Sequence, residues 1–123
     1  MGTTTAGGTD RSRDLVVAVC QSTVREVPAV PDEGASASER RTYLRAVERA
    51  MRTLAPDLER LAGRDAGRRA TLLDLARRMR AVETVARRTV AGQVPDGDAN
   101  DLATTLARLN VLATRERLPQ CGV

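Results

Sequence analysis

Between residues 44 and 61 the chain places Leu44, Val47, Met51, Leu54, Leu58 and Leu61 at alternating spacings of three and four. A helix turns once per ~3.6 residues, so side chains at these spacings share one face and form a continuous apolar seam. A strand cannot use the pattern, because it changes face at every residue. Ser36 and Glu39 precede the seam with the spacing of a capping box, which marks a helix start. Pro56 falls inside it and removes one backbone hydrogen bond. Because the seam continues past it, the expectation is a helix two kinked at Pro56 with the ring on the outer, convex side. The alternative is a break into two helices.

Three further segments carry helical periodicity. Leu15, Val16, Val19, Cys20, Thr23, Val24 and Val27 recur every three or four residues until Pro28 stops the stripe, with Asp10 or Ser12 able to cap its start. "PAVPDEGASAS" then makes a long connection. "GRDAGRR" reverses the chain near residues 63–67, and its Asp can cap a third helix through Leu72, Leu75, Met79, Val82 and Ala86, with Leu73, Ala76 and Val85 widening the stripe up to about Gly92. "QVPDGDAND" is a capped turn before a fourth stripe of Leu102, Leu106, Leu109, Leu112 and Ala113. Four amphipathic segments of this kind predict an all-α protein, an antiparallel up-down four-helix bundle. Residues 1–9, "MGTTTAGGT", lack apolar periodicity and are expected to be a disordered N-terminal tail, leaving residues 10–123 as a single helical-bundle domain.

Composition supports the helical reading. There is no Phe or Trp, and Tyr43 is the only aromatic residue, so Leu, Val, Ala and Met must supply the core. Such fillers suit close-packed helices better than a sandwich, whose strands favour β-branched and aromatic residues. A chain of this length can bury roughly 65% of its unfolded surface, enough for a core without metal or cofactor.

The net charge is +4 and every one of the 20 basic residues is Arg. Complete absence of Lys beside abundant Ala, Arg, Val and Gly looks like the coding bias of a high-GC bacterial genome, which discounts Arg content as a functional signal. The clusters Arg68/Arg69, Arg77/Arg78/Arg80 and Arg87/Arg88 still give the third helix a local charge of about +5 against Asp74 and Glu83. Arg77, Arg80 and Arg87 fall opposite the apolar stripe and form an anion-binding face able to meet phosphates. No aromatic residue is at hand to stack on bases, so a solvated face is preferred to a nucleic-acid site.

Enzymatic chemistry has little to work with. The chain has no His, which removes the commonest general base and metal ligand. Its two cysteines are too far apart for a zinc pattern, and no phosphate-binding glycine motif is present. Asp57/Glu59 and Asp96/Asp98 read as helix-start residues rather than a catalytic pair. "PDGDANDL" at residues 95–102 alternates Asp96, Asp98 and Asn100 but lacks the closing Glu of a calcium loop, so a capped turn is preferred. No metal, cofactor or catalytic residue is therefore expected, and a ligand carrier with an interior site is the least favoured class.

Cys20 lies mid-helix in the first stripe, and Cys121 in the "RLPQCGV" tail. In an up-down bundle the first and last helices are neighbours, so a bridge between the two is sterically accessible. It would close a loop of about a hundred residues, contributing ~2–4 kcal/mol and at most ~4.7. The other reading is a small buried hydrophobe and a free tail thiol. The disulfide is preferred because an exposed tail cysteine without another role is unusual.

A first-helix Cys20, a Pro-containing loop, Tyr43-Leu44 near the start of helix two and the ending Leu118-Pro-Gln-Cys-Gly122 together resemble small secreted or lipid-anchored helical proteins of high-GC bacteria. The resemblance runs from Val16 onward, and most such proteins have no assigned activity. It implies that Cys20 and Cys121 pair outside the cytoplasm. Against export, the apolar run before Cys20 is only "LVVAV", Asp14 abuts it, and Val19 stands where a lipoprotein site needs a small residue. Either a leader or anchor lies outside this chain, or the protein is cytoplasmic with reduced thiols. No segment approaches the ~20 apolar residues of a membrane span.

The expectation for function is a non-enzymatic helical interaction domain with a protein partner, the extracytoplasmic part of a bacterial protein stapled by Cys20 and Cys121. The alternative is a cytoplasmic nucleic-acid-associated or regulatory protein using the helix-three arginines. Homo-oligomerisation stays open, since heptad seams also join chains.

Overall fold

A computed structural model describes the backbone of residues 2–92 and 98–123 and the side chains of residues 11–92 and 102–123. Four helices follow in order, α1 (Gly2–Val24), α2 (Ala37–Ala62), α3 (Arg69–Val90) and α4 (Asp98–Arg115), and a 3-10 turn, Pro119–Cys121, follows them. The described residues contain no strand, so the all-α bundle expected from periodicity is the observed class. α1 packs on α2, α2 on α3 and α3 on α4, while the 119–121 turn packs on both α1 and α4. Among the described residues α1 and α4 thus meet through this turn rather than side by side.

α2 is the centre of the fold. Val47, Met51, Leu54 and Leu58 are fully buried, as the seam requires, and Tyr43, Ala50, Ala55 and Ala62 are buried with them. Leu44 and Leu61, at the two ends of the seam, are only partly covered. The stripe is wider than a two-helix seam because α2 has α1 and α3 as neighbours. Ser36 caps the helix by accepting a hydrogen bond from the Glu39 amide at 3.1 Å. The helix continues through Pro56 to Ala62, so the alternative of two separate helices is not realised. Pro56 is partly buried, beside fully buried Ala55.

α1 begins at Gly2, ahead of the start at Asp10 or Ser12 read from the sequence. No proline interrupts residues 2–14, so a helix once nucleated can extend through them. Residues 2–9, expected as part of a disordered N-terminal tail, have helical backbone at the start of α1, and the side chains of residues 1–10 lie outside the described residues. The helix ends at Val24 rather than at Pro28, and Glu26 and Val27 make tighter bonds to Thr23 and Val24. Val16 and Cys20, one turn apart, are buried, whereas Leu15 is 51% exposed. α1 therefore contacts the protein along a narrow line, and Leu15 falls off it.

The α2–α3 connection runs through Asp65, whose carboxylate accepts from the Arg68 amide at 3.2 Å and from the Ser12 hydroxyl of α1. Glu59 faces Arg80, and Arg52 faces Glu83, so numbering runs in opposite senses along α2 and α3. Leu72, Leu75, Ala76, Met79, Val82 and Ala86 line the inner face of α3. Leu73, expected to widen that face, is 40% exposed. Gly92, with φ of 67°, lies just past the helix, where a residue without Cβ takes the left-handed region most easily. From α4, Leu109, Leu112 and Ala113 enter the core and Leu102 and Leu106 pack at its margin. No polar or charged residue among those described is buried.

The end of α4 is shaped by Arg117 and not by Pro119. Arg117 adopts φ of 60°, its amide bonds to the Thr114 carbonyl at 3.0 Å, and the Leu118 amide reaches back to Ala113 at 2.7 Å. This pair of bonds is a Schellman motif, with buried Leu118 and Ala113 providing its apolar contact. Glycine ordinarily occupies the left-handed position, so the sequence carries no sign of it.

Candidate functional site

Reversal of the chain at Arg117 sends the tail back across the α1 face. Leu118 is buried, Pro119 opens the short turn, and Cys121 arrives at Cys20 with a Cα–Cα distance of 4.9 Å and a sulfur–sulfur bond of 2.03 Å. Both cysteines are fully buried, and they are 101 residues apart in sequence. The Arg13 guanidinium of α1 donates to the Arg117 carbonyl at 3.0 Å. Asn110 of α4 holds the last residue from the other side, accepting from the Val123 amide at 2.8 Å and donating to its carbonyl at 3.0 Å. Gly122 has an ordinary φ of −84°, so it is not needed for a turn. It is needed for space: an added Cβ would overlap Asn110 Oδ1 and lie 3.3 Å from the Pro119 carbonyl.

The arginines sort into two groups. Arg77 lies 3.7 Å from Asp74, Arg80 is bonded to Glu59, and Arg87 lies 3.7 Å from Glu83. Each member of the sequence-derived anion face thus has a carboxylate beside it. Hydrogen bonding and charge from Glu59 raise the already high pKa of Arg80. Asp57, the other half of the Asp57/Glu59 pair, is bonded to Arg60, so the two carboxylates serve separate cations and do not form a dyad.

Arg78 and Arg108 have no ion-pair partner among the described residues, and Arg115 has only the adjacent Glu116 at 3.8 Å. The three meet in an open groove of about 570 Å³ between α3 and α4, with Thr104, Ala107, Val111 and Leu112 completing it. Arg78 Nε is buried there without a hydrogen-bond partner. Sequence reading missed this convergence because it joins positions on two helices. A second groove of about 380 Å³ between α1 and α2 has mixed charge, with Glu26 and Arg49 on its walls.

Among the described residues no group of three Cys, Asp or Glu side chains is arranged to hold a metal ion. Asp96 and the side chains of Asp98 and Asn100 lie outside the described residues, so no ligand geometry is described for the 95–102 segment, whose backbone from Asp98 onward is already α4. No described helix is long and apolar enough to cross a membrane. The chain matches no family model, no curated protein and no solved structure.

Proposed function

We propose that this chain is a non-enzymatic helical interaction domain of a bacterial protein, acting outside the cytoplasm. The observation that carries the reading is the buried Cys20–Cys121 pair joining α1 to the tail. Disulfides persist in oxidising compartments and are rare where glutathione and thioredoxin keep thiols reduced. The non-enzymatic part rests on the absence of His from the sequence and on the engagement of Asp57, Glu59, Asp65 and Glu83 by arginines or by Ser12. The nucleic-acid reading draws less support, because Arg77, Arg80 and Arg87 already have carboxylate neighbours and Tyr43 is the sole aromatic.

The test is the redox state in the cells that make the protein. Cells are quenched in acid, and the protein is denatured and treated with a maleimide of high mass. The expected result is no mass gain until a reductant is added. Two thiols labelled without reductant would overturn the extracytoplasmic reading.

A further inference from the structure

We propose that the α3–α4 groove is a docking site for an acidic amphipathic helix of a protein partner. This deepens the interaction-domain reading and rests on it. On α3, Arg77, Arg80 and Arg87 each have a carboxylate beside them and Arg69 bonds the Ala62 carbonyl, whereas among the described residues Arg78 and Arg108 have no carboxylate and Arg115 has only its exposed neighbour Glu116. Among the described residues no acidic side chain lines the groove. Three guanidinium groups facing one channel repel one another, and an anionic occupant removes that repulsion. Arg forks bind carboxylates through two parallel N–H bonds, so a row of Glu or Asp is a chemically matched occupant.

The shape and the apolar content of the groove choose between anions. Thr104, Arg108, Val111 and Arg115 are successive positions on one face of α4, and Val111, between two of the arginines, is 65% exposed. A phosphate backbone has nothing apolar to lay over Val111, and the groove has no aromatic ring to stack on a base. An amphipathic helix supplies both parts, with aliphatic side chains over Val111 and Leu112 and carboxylates toward the arginines. A channel between two helices also receives a third helix in the manner of helix-in-groove recognition.

The test uses the purified, disulfide-bonded protein and a fluorescein-labelled synthetic peptide with Leu and Glu on one helical face and Gln and Ala on the other. Fluorescence anisotropy should show saturable binding. A peptide of the same composition, shuffled to destroy the face, should bind at least about tenfold more weakly. Arg108→Glu and Val111→Asp, both at exposed positions, should each weaken the facial peptide about tenfold or more while helical circular dichroism and the melting temperature stay near those of the parent. Arg87→Glu, outside the groove, should change binding less than about twofold. Absence of binding, equal binding of the shuffled peptide, an equal loss in Arg87→Glu, or displacement of the peptide by a double-stranded DNA fragment at lower concentration would each overturn the proposal. These outcomes leave the cysteine labelling in cells untouched, so failure of the groove and failure of the extracytoplasmic reading are separate results.

Discussion

Asn110 grips Val123 with both ends of its side-chain amide, one bond at 2.8 Å and the other at 3.0 Å, and so fastens the tail to α4 independently of the disulfide. The grip depends on Gly122, whose missing Cβ leaves room for Asn110 Oδ1. Gly122→Ala should break it and cost roughly 1–3 kcal/mol, because two hydrogen bonds are lost or distorted in a partly buried place. Asn110→Ala should cost about as much, and the double variant no more than the worse single one. Urea denaturation of the three proteins checks this. Additive losses would show that the two residues act separately.

Reduction should detach one end of the tail and leave the other held. The bridge closes a loop of 101 residues, and its removal is expected to lower stability by ~2–4 kcal/mol. In a domain of this size that corresponds to a fall in melting temperature on the order of 10 °C. Thermal denaturation with and without reductant measures it. An unchanged transition would mean that the bridge contributes nothing to the folded state.

Leu54 and Leu15 should respond oppositely to truncation. Leu54 is fully buried in α2, and Leu54→Ala should cost ~2–5 kcal/mol by leaving a cavity among aliphatic neighbours. Leu15→Ala should stay within about 0.5 kcal/mol, since half of that side chain already faces water. Chemical denaturation of both variants decides the matter. A large loss at Leu15 would place another chain or element against that face.

Asp65 gives the fold an acid sensitivity that can be located. The Ser12 hydroxyl, with help from the Arg68 amide and charge, holds its carboxyl below the usual carboxylate range. A depressed folded-state pKa contributes stability that is fully present above the unfolded value of ~3.9 and is lost as pH falls through the lower folded value. Ser12→Ala should therefore reduce stability at neutral pH and flatten the decline below about pH 4. Urea midpoints taken between pH 2 and 7 would reveal it. Parallel curves for parent and variant would remove Ser12 as the cause.

The parts of this structure that were readable in advance are those set by local period and local chemistry. The seam of α2, the Ser36 cap and the inner positions of α3 and α4 each follow from neighbours within one or two turns. Leu15 and Leu73 were misplaced because periodicity gives a stripe but not its width, which is decided by how many helices lie against it. The left-handed Arg117 was hidden, since a non-glycine residue in that conformation leaves no compositional mark. Asn110 did leave a weak sign. Asn is a poor helix former, and one in the interior of α4 asks what its side chain is doing. The meeting of Arg78 with Arg108 and Arg115 depends on how α3 and α4 pack, and no spacing within either helix announces it.

The bond between Cys20 and Cys121 also decides how the molecule would carry a mechanical load. A pull applied at the start of α1 and at Val123 would travel along α1 to Cys20, cross the two sulfurs and leave through the final residues. Everything from residue 21 to residue 120 lies inside the closed loop and would feel almost no tension. Extension would be arrested after α1 ahead of Cys20 and the residues beyond Cys121 had straightened, with α2, α3 and α4 still folded. In the reduced state the same pull would be borne by helix packing alone, and the chain could unravel from its ends.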